Sequence, residues 1–259
     1  MTVLGVAGVA AMTWTPDGEQ ESPVESRATA QAEPTSRAEP APAPSERQSD
    51  AAESPDSPAA PSFSPSPSRT VIPETGPGTF VTASGGSAKV GTGRTMRYRV
   101  EVERGLDISA EGAAEEVERV LRDPRGWTGD GRSAFQRVSR GSTDFVVKVA
   151  TAGTVDKICG QFGLDTGGEV NCNVAKNVMV NLKRWLLATP VYKDDVTAYR
   201  ALIINHEVGH FLGRGHVGCP GRGKPAPAMM QQIKGMDGCV PNVWPYDAKG
   251  RLITGPAVP

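Results

Sequence analysis

The 259-residue chain contains only three histidines, all within one stretch of eleven residues, HEVGHFLGRGH at 206–216. His206 and His210 are four residues apart, so on a helix both imidazoles project from one face and can share a metal ion. Glu207, next to the first of them, points to the same side. Gly213 can take the left-handed conformation that ends a helix and turns the chain sharply. His216, three residues on, can then return to the metal as third ligand. Zinc held by three imidazoles keeps a fourth position for water, whose proton a neighbouring carboxylate can accept. The pattern predicts a zinc centre with His206, His210 and His216 as ligands and Glu207 as general base. A histidine on a helix is more often a surface or core residue than a ligand; here no histidine lies outside the ligand positions, which favours the metal.

A helix over residues 195–212 must carry the first two ligands. Asp194 or Asp195 caps it and puts negative charge at the positive end of its dipole. Ala201, Leu202, Ile203, Val208, Phe211 and Leu212 give it a wide apolar surface, so it should be largely buried, and Gly213 stops it. Strands are expected at 79–84, at 96–102, where RYRVEVE alternates polar and apolar residues, at 144–150 and at 177–182, with a shorter edge strand within 168–173. Residues 109–121 read as a helix capped by Ser109, with Val117, Val120 and Leu121 as its apolar stripe, ended by Asp123-Pro124. The last stretch, 217–259, is rich in glycine and proline, and no helix is expected after Met230.

The rest of the chain divides by composition. Residues 1–75 hold 12 of the 22 prolines, no lysine, 4 arginines and 11 acidic residues, a net charge of −7. Residues 76–259 carry 24 basic and 18 acidic residues, a net of +6, without the clusters that nucleic acid requires. Residues 15–75 run on Ala, Pro, Ser and Glu and cannot bury enough apolar surface to order themselves, so they read as a semi-extended disordered spacer. The apolar segment 1–14 is too short to span a bilayer and resembles the core of a signal peptide without its basic start, read as a clipped signal or an anchor. Cys159, Cys172, Cys219 and Cys239 show no metal-binding or redox spacing, and an even number fits two disulfides in an oxidising compartment. Of three connectivities the sequential one, Cys159–Cys172 and Cys219–Cys239, is favoured because both loops are short. The expected location is secreted or envelope-associated, with the N-terminus a candidate tether.

His206, Glu207, His210, Gly213 and His216 complete HExxHxxGxxH, and in this the chain resembles the metzincin metallopeptidases. That clan has a methionine turn beneath its zinc. PAPAMMQQ at 225–232 offers Met230, which fits the small-x-Met pattern through Ala228, with Met229 as the alternative. The run GHVGCPGRGKPAPAMMQQ and the later GCVPNVWP resemble a group of exported actinobacterial proteins in the same clan, a likeness covering most of 76–256. The resemblance implies an α+β fold for 76–259, with a twisted mixed sheet and an active-site helix over a small irregular C-terminal subdomain. It implies a monomeric zinc-dependent endopeptidase whose substrate, a peptide or protein, lies extended beside an edge strand. The missing C-terminal helix departs from many metzincins, and the sequence gives Tyr246 no role. Relatives often hold calcium structurally, but no EF-hand-like loop assigns it here. Two rival readings use the same residues: a zinc amidase acting on cell-wall peptide, and a zinc-binding envelope module without catalysis. Glu207 argues against the second, because a closed structural site needs no base. Asp237 is the alternative third ligand if His216 does not bind.

Overall fold

The computed structural model describes residues 71–258. Its strands are Phe80–Thr82 (β1), Val90–Gly91 (β2), Arg94–Glu103 (β3), Ser133–Arg137 (β4), Phe145–Ala150 (β5), Cys172–Val174 (β6) and Asn177–Asn181 (β7). Its α-helices are Ala110–Arg122 (α1), Ala152–Gly160 (α2), Leu182–Leu187 (α3) and Val196–Phe211 (α4). The seven strands form one mixed sheet in the order β2-β4-β3-β5-β7-β6, with β1 also on β3. β3, β4, β5 and β7 run parallel, while β1, β2 and β6 are antiparallel to their neighbours. The fold is therefore α+β, as expected from the sequence. Segment 1–14 and nearly all of spacer 15–75 lie outside the described residues.

Alternation in β3 decides which face is covered. Met96, Tyr98, Val100 and Val102 are buried in the main core, which also takes Val117, Val120 and Leu121 of α1 and Leu202, Ile204 and Val208 of α4. On the other side of the sheet, α2 covers a smaller cluster: Val155 and Cys159 pack with Ala150, Met179, Cys172 and Val174. α4 is buried on almost every side, as its wide apolar surface requires.

Polar groups pin the joints. The Ser109 and Asp195 side chains cap α1 and α4, accepting from the N–H groups of Gly112 and Ala198. The buried Glu103 carboxylate accepts from the N–H groups of Gly78 (2.7 Å) and Thr151 (2.8 Å) and from the hydroxyls of Thr151 (2.9 Å) and Thr154 (2.6 Å). Burial alone would raise its pKa; those four bonds outweigh it and hold the group below the ordinary carboxylate value. Glu103 thus ties the approach to β1 to the start of α2.

The structure corrects two strand boundaries. The strand expected over 177–182 ends at Asn181, whose side chain accepts from the Lys183 N–H and caps α3. The edge strand expected within 168–173 begins only at Cys172. Gly167 and Gly168 have φ of 56° and 69°, so that glycine pair turns the chain instead of extending it. Elements α2, α3, β2 and β4 lie outside those the sequence leads one to expect. After α4 the described residues form no further helix, in keeping with their glycine and proline content.

The cysteines pair sequentially, Cys159 with Cys172 and Cys219 with Cys239. Two disulfides point to an oxidising environment. Among the described residues no helix is long and apolar enough to cross a membrane. The bonds serve different places: the first joins α2 to edge strand β6, and the second packs with Ala226, Met230 and Met236. Cys219→Ala/Cys239→Ala is expected to lose ~3 kcal/mol of stability in the chain-entropy account, and metal affinity with it. Cys159→Ala/Cys172→Ala should lose similar stability but keep its metal. Denaturant and metal titrations of both variants check this, and equal metal affinity in the two would refute it.

Candidate metal centre

The centre begins with the end of α4. Its last turn closes by two bonds, from the Gly213 N–H to the His210 carbonyl (2.9 Å) and from the Arg214 N–H to the Gly209 carbonyl (2.9 Å). With Gly213 at φ 78°, this is the left-handed helix stop that the glycine allows. Chain reversal there brings His216 back over the helix. The Nε2 of His210 lies 3.2 Å from that of His206 and 3.1 Å from that of His216. All three histidines are half-buried and form the one candidate metal-holding group among the described residues. Two donors at ~2.0–2.1 Å from a tetrahedral zinc stand ~3.3 Å apart, so the triad fits such an ion. Asp237, the alternative ligand, is exposed and outside the group.

Outward-facing nitrogens fix the rings. His206 Nδ1 pairs with the Ala228 carbonyl at 2.8 Å and His210 Nδ1 with the Arg214 carbonyl at 2.9 Å. A carbonyl only accepts, so each Nδ1 carries the proton and each Nε2 keeps its lone pair for a ligand role. Burial, reinforced by His210, pushes His206 down to about 3, and burial also lowers His210. Both are neutral imidazoles, the form that binds metal. Glu207 is buried beside them, and burial pushes its carboxyl up to about 8. A cation beside it would act in the opposite direction, toward the carboxylate.

The histidines and Glu207 line a cleft of about 650 Å³. Its floor is the α4 face of Tyr199, Leu202, Ile203, His206 and His210; one wall is the 164–171 loop with β6, and the other is Met230 to Lys234. Of the two methionines proposed for the turn, Met230 lines this cleft, and its N–H bonds to the Pro227 carbonyl at 3.0 Å. Met229 instead enters the main core: a Cβ on Gly209 would overlap its sulfur and stand 2.8 Å from Trp127 Cζ2. Glycine inside the ligand helix therefore has a packing reason. Tyr246 packs edge-on against Trp127 and does not line the cleft.

The residues that hold this floor were not singled out from the sequence. Gln232, buried, donates from Nε2 to the carbonyls of Pro227 (3.2 Å) and Asn242 (2.8 Å) and accepts from the Tyr192 hydroxyl (2.7 Å). Asn205, buried next to the first ligand, donates to the Val243 carbonyl at 2.9 Å. The only sequence signal for either was a polar residue inside an apolar stretch.

A protein-family model described as "Protein of unknown function (DUF3152)" matches residues 66–247, which include the whole triad and the cleft. No curated protein and no solved structure matches the chain.

Proposed function

We propose that this chain, which belongs to the DUF3152 family, is an exported zinc-dependent endopeptidase of the metzincin kind. One observation carries the reading: three imidazole Nε2 atoms converge, with His210 3.1–3.2 Å from the other two, on the floor of a cleft that a buried carboxylate also lines. The donor set supports zinc, because three neutral imidazoles without thiolate or carboxylate match a catalytic zinc site with one position open to water. Zinc held there supplies Lewis acidity, lowering the pKa of water toward ~7 and polarising a carbonyl.

The chain's own residues do the rest. β6 is antiparallel at the sheet edge and lines the cleft through Cys172 and Asn173, which supports binding of an extended peptide as an added strand. The Glu207 carboxylate takes a proton from the attacking water and passes it to the leaving nitrogen, as water oxygen bonds the carbonyl carbon and the C–N bond breaks. The Nδ1 bonds to Ala228 and Arg214 keep the imidazoles aimed at the centre throughout. Two disulfides fit export into an oxidising compartment.

The purified chain is expected to carry one zinc and to cleave an unbiased library of unmodified peptides, with chelation abolishing the cleavage. Bound zinc with no cleavage would leave a non-catalytic zinc module, and cleavage confined to cell-wall peptides would make it an amidase. Absence of bound zinc would refute the metal reading itself.

A further inference from the structure

We propose that the C-terminal tail, residues 253–258, is a positioning element for His216, setting the spacing between the first and third ligands. The inference rests on the metal reading above. His216 sits in a stretch between Gly213 and Gly218 that belongs to no helix or strand, and the Val217 N–H ties that stretch to the Met229 carbonyl at 3.2 Å. The tail crosses the same stretch and adds further main-chain bonds to it.

The tail's path starts at the first ligand. Asn205, just before His206, holds the Val243 carbonyl, and its own carbonyl accepts from Trp127 Nε1 at 2.8 Å. Trp127 packs against Tyr246, where a tight hairpin begins. Tyr246 bridges Leu252, and the Asp247 carboxylate accepts from the N–H groups of Lys249 (2.8 Å) and Arg251 (2.9 Å) inside the turn. The hairpin sends the chain back, with the Ile253 N–H on the Pro245 carbonyl at 2.7 Å.

The tail then pairs antiparallel with the ligand loop at Val217 and Ala257. Two main-chain bonds flank that pair: the Gly218 N–H to the Pro256 carbonyl at 2.7 Å, and the Val258 N–H to the carbonyl of His216 itself at 3.2 Å. At the crossing, a Cβ on Gly255 would overlap the Gly218 carbonyl, so the two backbones can approach only with glycine there. One continuous segment thus runs from the residue before the first ligand to the backbone of the third.

The test measures zinc affinity of the full chain by competition with a chromophoric chelator, alongside the melting temperature of the metal-free protein. Val258 is 41 % exposed, so Val258→Pro removes chiefly its N–H, whereas Val258→Ala keeps it. Val258→Pro should bind zinc several-fold more weakly with unchanged metal-free melting, and Val258→Ala should bind like the parent. Gly255→Val, which forces the backbones apart, should weaken binding at least ~10-fold, more than loss of a single hydrogen bond. If the parent binds zinc and Val258→Pro binds it equally well, the tail has no positioning role and the metal reading stands. If Val258→Ala weakens binding as much as Val258→Pro, side-chain packing and not the main-chain bond is responsible, and the proposal also fails. A parent that does not bind zinc fails the metal reading first.

Discussion

Glu207→Ala is expected to keep its zinc and its melting temperature while peptide hydrolysis falls by at least ~10²-fold, the lower end of what positioned proton transfer supplies. The carboxylate is not in the ligand group and makes no hydrogen bond or ion pair among the described residues. Burial is what raises its pKa, so in the metal-free fold the group costs free energy without a compensating contact. Removing it should leave stability unchanged or slightly higher. A fall in melting temperature would instead make Glu207 a packing residue, and unchanged hydrolysis would sink the assigned mechanism. Zinc content, melting and peptidase rate on the one variant separate these outcomes.

His216→Ala should weaken zinc binding by more than the ~10–100-fold that losing an outer-shell partner costs, because one of three donors disappears. α4 should survive intact: it ends at Phe211, its stop is made by Gly213, and His216 lies beyond both. Far-ultraviolet dichroism and a zinc titration check the two halves of this expectation. Retention of one tightly bound zinc per chain would show that the third donor comes from elsewhere. Asp237 would have to move to supply it, since it is exposed and outside the cluster.

Much of the centre was legible because it is local. Two ligands four residues apart on an apolar helix, a capping aspartate before it and a glycine after it are all set by spacing and backbone preference. The same holds for the disulfides, whose loops close over short separations of 13 and 20 residues. What stayed hidden depended on distant partners. α2, AGTVDKICG, holds two glycines and β-branched residues and has weak helical patterning; burial against β7 and the Thr151 cap make it a helix. α3 is only six residues long, and its start is hidden because the strand pattern runs on through Leu182 until the Asn181 side chain is seen to cap the helix. β4, SAFQR, is short and pairs parallel with β3 and antiparallel with β2, contacts that no local pattern announces. Gln232 and Asn205 needed the fold before their carbonyl partners could be named, and the metzincin reading rests on the site and not on any matched structure.

The antiparallel clasp between the tail and the ligand loop also has a consequence in time. Ribosomes deliver a chain from its N-terminus, so the three histidines are made before the residues that hold the third of them. A nascent chain would display an open triad with weak hold on any ion. Firm metal capture would begin only once residues 253–258 had been made and had folded back onto residues 216–218.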